Sequence, residues 1–174
     1  MRDRASEWSR NLSVKVLAPA KVNLALHVLY TRDDGYQELH TSMLALSLGD
    51  VVLAEATETS GVTLSVGGEH ALGVPEDETN LVHRAVSALL DREGSSKGVA
   101  LELSKCIPAG AGLGGGSADA AAALVATRAA LGLVEDEALD REILAELGSD
   151  TVFFQDAVSG HALCRGRGER VTPL

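Results

Sequence analysis

Aromatic residues are scarce in this chain and make up only 3% of its 174 positions. Its core must therefore consist of aliphatic side chains, and the chain has enough of them because 45% of its residues are hydrophobic. Cysteine is also rare, and Cys106 and Cys164 do not show the spacing of metal ligands. Two isolated thiols are typical of a reduced protein, so we expect a cytoplasmic location.

Positive charge is in deficit as well. The chain has 15 Lys and Arg against 25 Asp and Glu, a net charge of −10. This balance argues against nucleic acid or an anionic membrane as a partner. No apolar run is long enough to span a bilayer, and the polar residues 1–11 lack the apolar core of a signal peptide. We predict an N-terminal extension over 1–11 and one domain over 12–174, with the oligomeric state left open.

Hydrophobic spacing predicts strands in the first part of the chain and strand–helix units after it. Expected strands cover 12–17, 22–30, 39–48, 51–55, 62–66, 98–104 and 161–165, with 51–55 and 62–66 as a pair and a turn at Gly49-Asp50. Expected helices cover 79–93, capped by Asp77 or Thr79, then 117–131 and 135–147. This order predicts an α+β fold, a mixed sheet with helices on one face.

The most informative stretch is glycine-rich. Five of the seven residues in 110–116 are glycine, and they join the strand 98–104 to the helix predicted from Ser117. Such a loop can turn its N–H groups inward, and a helix N-terminus adds unpaired N–H groups and a positive dipole. The stretch therefore predicts an anion site whose usual occupant is a polyphosphate.

A glycine-rich loop also occurs in flexible linkers and in dinucleotide-binding folds. A flexible linker is disfavoured because glycine linkers rarely join a strong strand to a strong helix. Gly110, Gly112 and Gly115 match the G-x-G-x-x-G dinucleotide fingerprint, with Glu135 as the ribose acid. Pro108 and the absence of alternating strands and helices upstream argue against that dinucleotide fold, although tighter binding of NAD than of ATP would support it.

The full sequence of residues 108–119 is a more specific signal than its glycines alone. Pro108-x-x-x-Gly-Leu-Gly-Gly-Gly-Ser117-x-Asp119 resembles the phosphate loop of the galactokinase, homoserine, mevalonate and phosphomevalonate (GHMP) kinase superfamily. Its Gly-Leu-Gly-Gly-Gly-Ser form is most similar to the members that phosphorylate 4-diphosphocytidyl-2-C-methyl-D-erythritol in non-mevalonate isoprenoid biosynthesis. The resemblance implies a fold like ribosomal protein S5 domain 2, with ATP and Mg²⁺ as cofactors. The nucleotide-binding residues would be Lys105, Pro108, Gly110, Gly112, Leu113, Gly114, Gly115, Gly116, Ser117 and Asn80, with Ser117 also contacting the metal.

Two charged residues lie in unusual settings. Lys21 is a cation at the start of an apolar strand, where it would otherwise extend its head group to water. Asp150 follows a helix end, a position also typical of a turn residue. Their surroundings resemble the family motifs that hold a catalytic lysine and a catalytic aspartate. Ser149 and Thr151-Val152 depart from the family's Ala and Val-Pro, which leaves the pose of the aspartate open.

The acceptor site is predicted from three further residues. Asn23 points the same way as Lys21 along the strand and would contact the same substrate. Asp34-Gly35-Tyr36-Gln37 resembles a family motif in which the tyrosine stacks on the cytosine of the substrate. Gln37 replaces the family histidine, so a main-chain contact would survive there and an imidazole contact would not.

Together these motifs predict an ATP-dependent kinase that acts on a small-molecule hydroxyl, with Asp150 and Lys21 as the catalytic pair. Family members continue into a C-terminal domain, and we expect this domain to be absent here. The alternative is a catalytically silent nucleotide-binding domain or a fragment of such a kinase.

Overall fold

The computed structural model describes residues 13–157 and 159–174, so the predicted extension over 1–11 lies outside the described residues. Six strands form one mixed sheet with helices packed against it. In chain order the elements are β1 (Val14–Thr31), β2 (Gln37–Thr57), β3 (Val62–Gly67), α1 (Leu81–Glu93), β4 (Gly98–Ser104), α2 (Gly115–Leu131), α3 (Glu137–Leu147), α4 (Phe153–Asp156), β5 (His161–Gly166) and β6 (Arg170–Pro173). The strand order is β3-β4-β2-β5-β6, with β1 paired to β2, which confirms the predicted mixed sheet.

The long hairpin of β1 and β2 differs from the prediction. Neither the Ala-Pro-Ala segment at 18–20 nor the predicted turn at Gly49-Asp50 ends a strand, because Pro19 pairs with Gly49 inside the hairpin. A register shift between Pro19 and Lys21 absorbs the proline, which is tolerated because β1 pairs with β2 alone. The result is one continuous ribbon that carries Lys21 into the centre of the fold.

The predicted pairing of residues 51–55 with 62–66 is wrong. Strand β3 pairs in parallel with β4, and β4 lies between β3 and the antiparallel strand β2. The other pairings in the sheet, of β1 with β2, β2 with β5 and β5 with β6, are also antiparallel. This topology excludes a doubly wound parallel sheet and with it the dinucleotide-binding alternative.

The three main helices also begin at residues other than the predicted ones. Asn80, and neither Asp77 nor Thr79, caps α1 by accepting a hydrogen bond from the N–H of Val82. Helix α2 begins at Gly115, two residues before Ser117, and α3 begins after its cap Asp136. Strand β6 and the single turn α4 were not predicted.

The Ala-rich helix α2 is the centre of the packing. Small side chains such as Ala122 and Ala126 let it lie close to the sheet, where they contact a cluster that includes Val52 and Leu101. The opposite side of α2 packs against α1 and α3 through a second cluster. This packing fixes the N-terminus of α2, and therefore the end of the glycine loop, against the sheet. Both cysteines are free, and none of the helices in the described ranges has the length and apolarity needed to cross a membrane.

Candidate active site

The glycine loop forms the wall of a cleft of about 340 Å³ between β4 and α2, called here the loop cleft. Gly110, Gly112 and Gly114 have φ angles of +73°, +74° and +73°, a region that favours glycine. Residues 107–116 all line the loop cleft, and Gly114 is the N-cap of α2. The predicted combination of an open glycine loop and a helix N-terminus is therefore present at one cavity.

Lys21 and Asp150 lie together beside this loop. Lys21 Nζ is 3.1 Å from Asp150 Oδ2, and the lysine side chain is buried while the carboxylate is about one-third exposed. The N–H of Lys21 donates to the carbonyl of Leu113 at 2.8 Å. A Cβ placed on Gly114 would lie 3.0 Å from Lys21 Cγ, so the lysine stem packs directly under the loop. The structure thus brings both predicted catalytic residues to the loop.

Asn23 lies on the same face as Lys21, as predicted. Lys21 Nζ donates to Asn23 Oδ1 at 2.7 Å, and the amide of Asn23 donates to the hydroxyl of Thr41 at 2.7 Å. That hydroxyl in turn donates to the carbonyl of Ala25. This chain of hydrogen bonds runs across the β1–β2 hairpin and fixes the ammonium group that faces Asp150.

Lys105 does not extend toward the loop cleft as a free cation. Its ammonium group lies 2.5 Å from Asp50 Oδ2 and 2.6 Å from Asp119 Oδ2, and all three side chains are buried. Asp50 Oδ1 also accepts the N–H groups of Cys106 and Ile107. Asp50 therefore fixes the entry to the loop through one carboxylate, and Lys105 links it to α2. Lys105 nevertheless lines the loop cleft, so its contact with a phosphate stays a prediction.

Two carboxylates share one ammonium group in this cluster, and Asp119 Oδ1 is buried without a hydrogen-bond partner. Burial raises the pKa of Asp119 to about 7, the nearby Asp50 acts in the same direction, and Lys105 opposes both. Burial also lowers the pKa of Lys105, but the two carboxylates outweigh it and hold that pKa above its usual value. Asp119 therefore takes up a proton far more readily than an ordinary aspartate, which relieves the surplus negative charge of the cluster.

Asn80 lines the loop cleft, but both ends of its side chain are engaged. Its oxygen caps α1, and its NH₂ group donates to the carbonyl of Pro75 at 2.7 Å. These contacts fix the segment 73–75, which forms the wall of the loop cleft together with the glycine loop. Asn80 therefore shapes the cavity in the structure.

The predicted stacking residue is exposed. About half of the Tyr36 surface is accessible, and the guanidinium carbon of Arg167 lies 4.6 Å from the centre of its ring. The side chain of Gln37 is turned away and donates to the hydroxyl of Thr31 at 2.9 Å. A contact at Gln37 toward a base would thus involve its main chain.

Comparisons with known proteins agree with this geometry. Residues 80–162 match the family model described as "GHMP kinases N terminal domain", and this range contains the loop, α2 and Asp150. This part of the chain is therefore similar to the N-terminal domain of GHMP kinases.

Two relatives and one solved structure carry the name of the same kinase. The chain is 43% identical to the 4-diphosphocytidyl-2-C-methyl-D-erythritol kinase of Deinococcus radiodurans over 90% of its own length and 50% of the relative's. It is 46% identical to the enzyme of the same name from Rhodococcus jostii, over 92% and 50% of the two lengths. A crystal structure of 4-(cytidine 5'-diphospho)-2C-methyl-D-erythritol kinase superposes with a TM-score of 0.76 at 41% identity, over 92% of this chain and 55% of that one. The chain spans about half the length of these relatives.

The residues of the loop cleft fit ATP better than they fit a tightly held metal ion. The loop cleft and the α2 N-terminus offer N–H groups to phosphates. Ser117 is the third residue of α2 and is half-buried, so it does not cap the helix. Among the residues that the structure describes, no group of three or more His, Cys, Asp or Glu side chains could hold a metal ion. A Mg²⁺ ion would therefore be carried mainly by the phosphates, as is usual for this ion, with Ser117 as a protein ligand.

Two features near the candidate site do not follow from the sequence. Asp50 was assigned to a turn, because a Gly-Asp pair is a common turn signal. Arg167 lies between Gly166 and Gly168, and no local motif marks it as a candidate site residue. A single Asp between two apolar stretches was the available signal for a buried ion pair, but its partner Lys105 is distant in sequence.

Proposed function

We propose that this chain is the ATP-binding half of a kinase that phosphorylates a hydroxyl group of 4-diphosphocytidyl-2-C-methyl-D-erythritol. The observation that carries the proposal is the meeting of Lys21, Asp150 and the glycine loop at one place. The names of the relatives support the choice of substrate. We also propose a cytoplasmic location for the reaction, in the isoprenoid pathway that such a kinase serves.

In this proposal the protein positions the reacting groups. The N–H groups of residues 110–116 and of the α2 N-terminus hold the phosphates of ATP, which arrives with Mg²⁺. Asp150 accepts the proton of the substrate hydroxyl, whose oxygen forms a bond to the γ-phosphorus as the bond to the β–γ bridging oxygen breaks. ADP and the phosphorylated product then leave. Lys21, buried and held by Asn23, orients Asp150 and offsets the negative charge that develops.

The proposal is tested by measuring ATP binding and phosphoryl transfer to the diphosphocytidyl substrate in wild type, Asp150→Asn and Asp91→Asn. Asp91 is exposed near the end of α1 and serves as the matched control. We expect Asp150→Asn to retain ATP affinity and to lose at least about 100-fold in turnover, because a positioned proton acceptor contributes about 10²–10⁴. Equal turnover in wild type and Asp150→Asn would reject the role of the carboxylate.

A catalytically silent ATP-binding domain is the second candidate. It is favoured by one observation, that the chain spans about half the length of its relatives. Calorimetry that shows ATP binding to the wild type, with no product from the diphosphocytidyl substrate, would select this candidate. Failure to bind ATP would reject both.

A further inference from the structure

Arg167 occupies an unexpected position over Tyr36. The tyrosine follows the turn between β1 and β2, and the arginine lies in the turn between β5 and β6. The guanidinium carbon lies 4.6 Å from the ring centre, a distance typical of a cation–π contact. About half of the tyrosine surface remains exposed, so the arginine leaves ring surface free for a flat ligand.

The same turn also contacts the loop that carries Asp150. Gly168 has a φ of +125°, and a Cβ at this position would lie 3.1 Å from the carbonyl oxygen of Ser149 and 3.2 Å from Asp150 Oδ1. The backbone immediately after Arg167 therefore packs against the carboxylate. Arg167 is adjacent in sequence to Gly168, so one short turn contacts the ring of Tyr36 through its arginine and the Asp150 carboxylate through its backbone.

Of the arginines around this turn, Arg32 and Arg170 have carboxylate partners. Arg32 lies 3.2 Å from Glu38, and Arg170 lies within 4 Å of Glu38 and of Glu169. Glu169 also accepts the backbone N–H of Arg167 at 2.6 Å, which fixes the turn. Within the described ranges, the guanidinium group of Arg167 has no carboxylate within 4 Å, so its positive charge is available to a ligand.

We propose that Arg167 binds the diphosphate of the substrate and thereby selects ligands in which a base and a reacting hydroxyl are joined by this anion. This inference rests on the proposed function, which places the reacting hydroxyl at Asp150, and on the predicted stacking of the base on Tyr36. A ligand that reaches from one to the other must cross the turn 166–169. Arginine suits this position because its planar group can stack on a ring while its N–H edge binds phosphate oxygens.

The test compares cytidine 5'-diphosphate with cytidine as calorimetric probes on the full 174-residue chain. Wild type, Arg167→Ala and Arg167→Lys are measured, with Arg165→Ala as the matched control, since Arg165 is an exposed arginine on the adjacent strand β5. We expect Arg167→Ala to weaken cytidine diphosphate binding by at least about tenfold and to leave cytidine binding within about twofold, because a charge-assisted contact is lost. Arg167→Lys retains the positive charge but lacks the planar guanidinium group, which can make two parallel hydrogen bonds. It should therefore give an intermediate loss of cytidine diphosphate affinity.

An ATP titration of the same proteins distinguishes a failure of the role of Arg167 from a failure of the proposed function. Normal ATP binding by all variants, with cytidine diphosphate affinity lowered only in the Arg167 variants, supports the inference. Normal ATP binding with equal cytidine diphosphate affinity in wild type and Arg167→Ala overturns the role of Arg167 and leaves the proposed kinase intact. Absence of ATP binding in the wild type overturns the proposed function itself. Thermal unfolding of each variant shows whether a lost affinity reflects a lost fold.

Discussion

Lys21 Nζ lies 3.1 Å from Asp150 Oδ2, although the lysine belongs to the first strand and the aspartate follows the third helix. The lysine is the more buried partner and is held from behind by Asn23. A buried ammonium group in this position fixes the more accessible carboxylate toward the open side of the loop. The pair can therefore serve as one unit, in which changes to the lysine act through the aspartate as well as on the reaction directly.

Replacing Lys21 with methionine should remove this unit with little change in side-chain volume. We expect turnover with the diphosphocytidyl substrate to fall by at least about 100-fold, because both the orientation of Asp150 and the stabilising charge are lost. ATP affinity measured by calorimetry should change by less than about threefold, since the N–H of Lys21 still binds Leu113. Lys15→Met, on an exposed site of the same strand, is the control and should match wild type.

Asp50→Asn should loosen the entry to the glycine loop. Lys105 keeps Asp119 as a buried partner after this change, so the loss comes mainly from the two N–H groups that Asp50 accepts. We expect the free energy of unfolding measured with urea to drop by about 1–3 kcal/mol. ATP affinity should fall as well, because the N–H groups of Cys106 and Ile107 lose their carboxylate acceptor. Glu55→Gln, on the same strand but outside the ion cluster, should leave both quantities unchanged; an equal effect of the two substitutions would contradict the anchoring role of Asp50.

Gly114→Ala can be compared with Gly132→Ala. Both glycines have left-handed φ angles, +73° and +67°, so both substitutions cost about 1–2 kcal/mol in backbone strain. Only at Gly114 would the new Cβ approach neighbours, Lys21 Cγ and Phe154 Cζ, each at 3.0 Å. We expect Gly114→Ala to lower ATP affinity and turnover, whereas Gly132→Ala lowers the melting temperature alone. Identical ATP affinities for the two variants would show that the Gly114 contact is unimportant.

The pH dependence of stability should report the protonation of Asp119. Its pKa is raised from 3.8 to about 7 by burial, so the folded state holds this proton more tightly than the unfolded state does. The stabilisation is complete below pH 3.8 and is lost as the pH rises through about 7. Between pH 5 and pH 8 we expect the unfolding free energy of wild type to fall by about 2–3 kcal/mol relative to that of Asp119→Asn. Parallel curves for the two proteins in urea unfolding would contradict this assignment.

The sequence predicted the loop, the main helices and the two catalytic candidates because each has a local signature. Glycine at 110–116 and the apolar spacing in α1 are properties of neighbouring residues, and they do not depend on the rest of the chain. The Gly49-Asp50 pair shows the limit of such signals. Its local preference for a turn is overridden by a hairpin that runs straight through it and by the burial of Asp50 against Lys105.

What the sequence alone determined is therefore the list of chemical parts: a glycine-rich loop, a lysine on a strand, an aspartate after a helix and a tyrosine after an Asp-Gly turn. The tertiary structure decided which parts meet. It brought Lys21 next to Asp150, paired Lys105 with Asp50 and Asp119 in a buried ion cluster, and positioned Arg167 over the ring of Tyr36. Contacts of this kind depend on strand order and register, which arise from burial of the whole core and leave no trace in a short stretch of residues.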